Sequence, residues 1–247
     1  MSAATRRQGS RRVAGALLAM LAAAAQMAAT PSPAKLLDAY HSALQVLERP
    51  AFVEYEYTQT RSGPNRIVTE QHRVYRTRDG QERNDTIMIN GTAIVPAVSR
   101  ILRRTVWPYD VAQFAATTDD YDIVLAPAAL VSGRKAYGLK LTRKATADFT
   151  LNDLFLDMRR FLPVRETFSV SGGNCAGGGI INFGPAGKYW LPTSVQVTCT
   201  AQSSGGPEVF KESIRFSSYG FPSAIPADVF NPGGSAESGQ ATPGAAP

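Results

Sequence analysis

Apolar residues recur at two different spacings along the chain. Between positions 33 and 47, leucine, tyrosine and alanine side chains recur every three or four residues, with Ser32 just before them and Pro33 at the first position. This spacing predicts an amphipathic helix that Ser32 can cap and Pro33 can begin. Such a helix needs a sheet or another helix to cover its apolar stripe.

After Pro50 the period changes to two, which is typical of strands with one buried face. The dipeptides Asp79-Gly80 and Asn90-Gly91 supply the positive φ angles that tight hairpins need, and Ser132-Gly133 makes a further turn. The pattern predicts nine or ten antiparallel strands, near 53–57, 67–78, 82–89, 92–95, 121–125, 135–143, 151–157, 163–170, 190–200 and 209–216.

The alternation lapses between positions 95 and 118. There, residues 97–104 and 109–116 predict two short helices separated by Pro108. The predicted fold class is therefore mainly β, a large curved antiparallel sheet that forms an unclosed barrel. The N-terminal amphipathic helix and the short helices would cover its concave face.

The two ends of the chain differ in composition from this pattern. Residues 1–29 combine a charged start, an apolar run over 13–25 and small residues suited to cleavage, which predicts a secretory signal peptide. The alternative is a retained anchor, but the run is shorter than the ~20 residues that span a bilayer. Both the general secretory and the twin-arginine routes stay open, the latter because of Arg11-Arg12. Residues 231–247 consist mainly of Gly, Pro, Ala and Ser, which predicts a disordered tail.

Between these two ends the sequence predicts one domain, over residues 33–230, that is periplasmic or secreted after signal cleavage. The formal net charge is +6, but residues 1–25 hold four arginines and no acidic residue, so most of that charge belongs to the leader. We therefore expect no nucleic-acid partner. With 44% hydrophobic residues, the chain is also not intrinsically disordered or collagen-like.

The two cysteines of the chain, Cys175 and Cys199, follow the secretion signal and are even in number. Both facts favour a disulfide. It would close a loop of about 25 residues and stabilise the domain by roughly 3 kcal/mol in the chain-entropy account. The alternative is a pair of unpaired buried thiols.

Catalytic and metal-binding patterns are weak. His41 and His72 are the only histidines, and their positions predict a helix-flank histidine and a solvated strand histidine rather than a zinc site. The Ser-x-x-Lys spacing occurs at Ser32 and at Ser132, which instead suit a helix cap and a hairpin turn. The sequence therefore predicts no catalytic residue, no metal and no cofactor, and the chain is not expected to be an enzyme.

A small basic cluster is formed by Arg100, Arg103 and Arg104. These side chains suit contact with phospholipid head groups or an acidic partner surface, and the alternative is the solvated face of a short helix.

Three segments in the second half resemble the LolA/LolB-like lipoprotein-carrier families. Residues 154–166 (LFLDMRRFLPVRE) resemble the strand, turn and strand that hold an aspartate and a Leu-Pro-x-Arg-like sequence. Residues 187–197 (GKYWLPTSVQV) resemble the next hairpin partner, and 216–230, ending IPADVF, resemble the closing strand. The Gly-rich stretch 172–179 does not align with the family pattern and is expected to be an insert.

The resemblance covers about residues 33–230 and implies a half-barrel around an apolar cavity for acyl chains. It implies a periplasmic, monomeric carrier or chaperone for an acylated protein or lipid, with transient contact to the membrane surface. The alternative, like the periplasmic sensor RseB of the same superfamily, is a binding module whose lipid occupancy regulates an inner- or outer-membrane protein. The residues expected to line the cavity are Val53, Tyr55, Tyr57, Leu139, Leu141, Leu154 and Leu156.

Overall fold

The protein's structure is a computed structural model that describes residues 31–104, 107–172, 176–203 and 206–231. The predicted signal peptide, residues 1–29, lies outside the described residues, as do Cys175 and positions 232–247 of the predicted tail. In the part of the chain that is described, no helix is long and apolar enough to cross a membrane.

The strands form a single antiparallel sheet that does not close on itself, with the order β4-β3-β2-β1-β11-β10-β9-β8-β7-β6-β5. The predicted mainly-β, unclosed architecture is confirmed. Along the chain the eleven strands are β1 (Phe52–Gly63), β2 (Arg66–Thr77), β3 (Gln81–Ile89), β4 (Thr92–Arg103), β5 (Tyr121–Val131), β6 (Arg134–Arg143), β7 (Phe149–Asp157), β8 (Pro163–Val170), β9 (Ala176–Ala186), β10 (Tyr189–Ser203) and β11 (Gly206–Gly220).

The predicted N-terminal helix is present as α1 (Pro33–Gln45). It buries Leu36, Leu37 and Tyr40 against one face of the sheet, here called the inner face. A short 3₁₀ turn at Ala227–Val229 precedes the buried Phe230.

Hairpin turns fall where the sequence predicted them. Asn90 and Gly91 have φ angles of 50° and 82°, and Ser132 and Gly133 have 48° and 76°. Left-handed backbone at both central positions matches the twist of the flanking strands, which is why such dipeptides favour hairpins.

Both predicted short helices are wrong. Residues 97–103 continue β4, which pairs with β3 from Thr86↔Val98 to Gln81↔Arg103. Residues 109–116 are a series of turns on the inner face, here called the cover segment together with 107 and 108. Tertiary contacts fix this segment: the Arg49 guanidinium donates to Asp110 at 2.7 and 2.8 Å, and the His41 ring bonds the Ala116 carbonyl at 2.7 Å.

The glycines at 177–179 are not an insert loop, because they form the start of β9 between β8 and β10. A Cβ on Gly177 or Gly179 would overlap the carbonyl oxygens of Thr198 and Gln196, and one on Gly178 would overlap that of Phe168. Glycine is needed here because neighbouring backbones approach too closely for any side chain.

The two free edges of the sheet are β4 and β5. Each edge strand carries a proline near its middle, Pro96 and Pro127, and the register with the inner neighbour shifts at each. Both edges also expose large apolar side chains: Val95, Val98 and Ile101 on β4, and Val124, Leu125 and Leu130 on β5.

Two apolar clusters of unequal size share the inner face. The larger lies under α1 and the cover segment and draws mainly on β5–β10. The smaller consists of Val53, Tyr55 and Val74 on β1 and β2. We call the inner face of β5–β10 the filled half and that of β1–β4 the open half.

Candidate functional site

Two cavities lie along β1 and β11, next to the open half. Cavity 1, of about 690 Å³, lies at the β1–β2 hairpin and is lined by Val68, Val197 and Phe210 among charged side chains. Cavity 2, of about 320 Å³, lies between the sheet and the cover segment. Both are lined by Glu212, so the two cavities meet at that residue.

The wall of cavity 2 is aromatic. Tyr55 and Tyr57 of β1 lie beside Phe216 of β11, with ring centroids 5.9 and 6.0 Å from the Phe216 ring. Tyr109 and Phe114 of the cover segment line the opposite side. Burial raises the pKa of the Tyr55, Tyr57 and Tyr109 hydroxyls, so these tyrosines are neutral walls at neutral pH.

One end of cavity 2 is charged. The Arg76 guanidinium donates to Glu82 at 2.7 Å, and both side chains are only 3% exposed. A second Arg76 nitrogen donates to the Arg104 carbonyl at 2.8 Å, and the Arg104 Nε lies 3.8 Å from the other Glu82 oxygen. Glu82 and Arg104 both line cavity 2.

His72 is buried, at 8% exposure, so the expectation of a solvated strand histidine is wrong. Its ring stacks on Tyr57 at 4.5 Å, and its Nδ1 lies 3.0 Å from the Asn84 amide oxygen. The Nε2 atom is buried without a hydrogen bond and lies 3.6 Å from a Glu70 oxygen. Burial lowers the His72 pKa, and this effect is larger than the opposing effects of Asn84 and Glu70, which raise it.

A second buried acid lies in the filled half. Glu166 of β8 is fully buried, and neither carboxyl oxygen has a hydrogen-bond partner. Burial, followed by the charge of Asp110, raises the pKa of Glu166 to about 8. The hydroxyl of Tyr40 on α1 is also buried without a partner, and Glu166 helps raise its pKa. The carboxyl is therefore protonated at neutral pH.

The residues expected to line the cavity separate into two groups. Tyr55 and Tyr57 line cavity 2, whereas Val53 packs with Tyr55 in the smaller cluster. The other four belong to the larger cluster and do not line cavity 1 or 2: Leu139, Leu141, Leu154 and Leu156. The structure thus brings the tyrosines together at a space and the leucines together in packed core.

Cys199 lies on β10 opposite Gly177 and lines cavity 1. Because Cys175 lies outside the described residues, the Cys175–Cys199 disulfide stays a prediction. In the β9–β10 register Cys199 pairs with Gly177, which follows Cys175 by two residues in the sequence.

Sequence reasoning missed most of the wall and, at the charged end, the buried pair Arg76–Glu82. Phe216 lies two residues after Ile214 in a predicted strand, so the pattern places both side chains on the same face of that strand. Tyr109 and Phe114 were assigned to a helix, and Arg104 was grouped with Arg100 and Arg103 as one surface cluster. On a strand the three arginines do not share one face, and only Arg104 lines cavity 2.

No family model matches the chain, and no curated protein matches it. Solved structures do show similarity. A domain from Vibrio parahaemolyticus assigned to outer membrane lipoprotein sorting is 13% identical, covering 79% of this chain and 96% of its own, with a TM-score of 0.44. A DUF1329 family protein from Desulfovibrio piger is 12% identical, covering 81% and 98%, with a TM-score of 0.43. A LolA superfamily protein from Nitrosomonas europaea is 15% identical, covering 81% and 98%, with a TM-score of 0.37.

Proposed function

We propose that this chain is a periplasmic carrier or chaperone that shields the acyl chains of a lipid or an acylated protein during transfer across the envelope. The observation that carries the proposal is the aromatic cavity 2, which continues at Glu212 into cavity 1 on a sheet that does not close. The mechanism is reversible burial of an acyl chain in this space rather than chemistry on it.

The cavities supply the free energy that such binding needs. Each CH₂ group that leaves water for an apolar wall contributes about 0.8 kcal/mol. Ring faces of Tyr57, Tyr109, Phe114 and Phe216 offer that wall over the length of cavity 2, and Ile214 of β11 forms its floor. The lining also includes the polar side chains Gln59, Asn84 and Gln113, of which Gln113 is exposed.

The cover segment is the natural gate of cavity 2. It contributes Pro108, Tyr109, Gln113 and Phe114 to the lining, and polar anchors hold it at Arg49–Asp110 and His41–Ala116. Opening of the segment would require release of the Arg49–Asp110 pair and withdrawal of Val111 and Ala116 from the larger cluster. A chain could then enter from the side of the open half.

Native mass spectrometry tests the proposal. The chain is recovered from a periplasm without detergent, and any bound species is released and identified. We expect a phospholipid or an acylated peptide of defined mass, or uptake of one when it is offered to the empty protein. A protein that arrives empty and takes up no acyl ligand would overturn the proposal.

Two tryptophan variants localise the binding. Ile214→Trp fills cavity 2 from β11, and we expect it to reduce acyl-ligand uptake at least tenfold. Ser213→Trp adds the same side chain at the adjacent exposed position on the other face of β11 and serves as the matched control. Equal uptake by the two variants would place the ligand outside cavity 2.

A second candidate function, a sensor whose occupancy regulates a membrane-protein partner, is favoured by the exposed apolar side chains Val95, Val98 and Ile101 on the free edge β4. The two functions differ in one result. A carrier hands its ligand to an acceptor, whereas a sensor binds its partner with different affinity when loaded.

A further inference from the structure

The charges at the Arg104 end of cavity 2 do not balance. Two guanidinium groups, those of Arg76 and Arg104, lie around one carboxylate, that of Glu82. Arg76 takes the close contact at 2.7 Å, so Arg104 is left at 3.8 Å with a weak share of the same carboxylate. One positive charge is therefore in excess beside an aromatic cavity that excludes much of the water.

Among the described residues, no carboxylate other than Glu82 lies within 4.0 Å of an Arg104 nitrogen. Glu212 is hydrogen-bonded by the Gln59 amide and lies where cavity 2 meets cavity 1. Asp110 accepts two hydrogen bonds from Arg49. Glu70 is bonded by Arg61. The excess charge at Arg104 is thus available to a ligand, because its side chain is 48% exposed and faces the cavity.

We infer that the amphiphile bound in cavity 2 carries an anionic head group that pairs with Arg104. A guanidinium presents a planar fork of donors that matches the oxygens of a carboxylate or a phosphate. The acyl chain then runs from Arg104 along Tyr57, Phe216 and Ile214 toward Glu212. This inference rests on the proposed function, since it names the ligand class of the same site.

The arrangement also fixes the direction of the ligand. Glu212 places a carboxylate at the end of cavity 2 opposite Arg104, so an anionic head group is attracted at one end and repelled at the other. Tyr109 lines the same cavity, where the Glu212 charge raises the pKa of its hydroxyl and the Arg104 charge lowers it. A neutral amphiphile would have no such preference for one orientation.

Two ligands with the same twelve-carbon tail test the inference: laurate, which is anionic, and 1-monolaurin, which is neutral. Both are titrated calorimetrically, below the concentrations at which they aggregate, into the full chain freed of bound lipid. We expect laurate to bind about tenfold tighter than monolaurin, the ratio that one charge-assisted hydrogen bond supports. Raising NaCl from 50 to 500 mM should weaken laurate binding and leave monolaurin binding unchanged.

Arg104→Gln should bring laurate to the affinity of monolaurin while leaving monolaurin unchanged. Arg103→Gln, at the next position on β4, is the matched control because Arg103 pairs opposite Gln81 and does not line the cavity. Equal affinity of the unaltered chain for both ligands, or an equal loss of both in Arg104→Gln, would overturn the anionic head group.

Two further results separate other outcomes. If neither laurate nor monolaurin binds, the proposed function itself fails, whereas binding of both with equal affinity refutes only the head-group inference. A 100-fold excess of acetate, which has the carboxylate without the tail, should not displace laurate. Displacement by acetate would show a site for small anions and contradict an amphiphile.

Discussion

The two halves of the inner face share the same alternating strand pattern but differ in the side chains that they bury. The filled half buries leucines, isoleucine and aromatic residues under α1, and the fully buried Glu166 among them is held neutral. The open half buries only Val53, Tyr55 and Val74 as an apolar cluster, next to the charged pair Arg76–Glu82. Apolar alternation therefore does not by itself distinguish packed core from binding surface.

What separates the halves is the cover. Helix α1 supplies Leu36, Leu37 and Tyr40 to the filled half, whereas the open half meets only the turns of the cover segment. The same cover segment packs Val111 and Ala116 into the larger cluster but leaves a space of about 320 Å³ beside Tyr57 and Phe216. The filled half is therefore packed core, whereas the open half borders the space of cavity 2.

The largest effect should come from breaking the buried ion pair of the open half. Arg76→Met leaves Glu82 buried without its partner, and we expect a loss of about 3–5 kcal/mol in the free energy of unfolding, measured with urea. Arg73→Met on the same strand removes an exposed pair with Glu56 and should cost less than about 1 kcal/mol. Equal losses in the two variants would mean that the open half contributes no buried electrostatics.

A pH dependence should mark the filled half. The Glu166 pKa is about 8 in the folded chain against an ordinary 4.5, so between these values the folded state keeps a proton that the unfolded state has released. This contribution to stability is complete below pH 4.5 and is lost as pH rises toward 8. We expect about 3 kcal/mol to be lost from pH 5 to pH 7.5.

Glu166→Gln should remove that slope, because glutamine is neutral at every pH, and Glu54→Gln at an exposed position of β1 should leave it in place. Urea titrations at several pH values measure the slope. A slope that persists in Glu166→Gln would mean that another group carries the proton.

Matched valines compare the packing of the two halves directly. Val164 of β8 and Val74 of β2 are both fully buried, one in each cluster. Val164→Ala should cost about 2 kcal/mol and Val74→Ala about 1 kcal/mol, because a densely packed surrounding relaxes less around the missing methyl groups. Thermal unfolding of the two variants measures the difference, and the reverse order would contradict the assignment of filled and open halves.

The smallest effect concerns His72. Burial lowers its pKa, so the folded state binds fewer protons than the unfolded state, and the contribution present above pH 6.5 is lost as pH falls. Since the Asn84 and Glu70 groups offset part of the effect of burial, we expect less than about 1 kcal/mol between pH 7 and pH 5. The stability of the unaltered chain minus that of His72→Gln should decline over this range. A constant difference would show that His72 does not titrate there.

Local signals predicted the elements that depend on local chemistry. The helix at 33–45 and the hairpins at Asn90-Gly91 and Ser132-Gly133 follow from residue spacing and from the need for positive φ. The helix predicted over 97–104 is wrong because a run of Arg, Ile and Leu suits a helix as well as a strand. Only the pairing with β3 decides between the two. The insert predicted at the glycines of β9 is wrong for a related reason. The close approach of β8 and β10 arises from tertiary structure and leaves no local signal in the sequence.

The sequence predicted part of the candidate site. Tyr55 and Tyr57 were selected by alternation and do line cavity 2, while Leu139 and Leu154 were selected by the same alternation and lie in packed core. Whether a strand residue faces a space or a neighbour depends on what covers it, and that information lies far away in the chain. Arg104 could be identified only once β4 was known to be a strand.

A sheet that stays open must also keep its own copies from adding to it. The unpaired edges β4 and β5 would each template a further strand, but Pro96 and Pro127 lack an N–H, and the register shifts beside them break the run of ladder hydrogen bonds. Fibre growth by edge-to-edge addition is thereby blocked at both ends. The two prolines thus help the sheet to stay unclosed without extending into copies of itself.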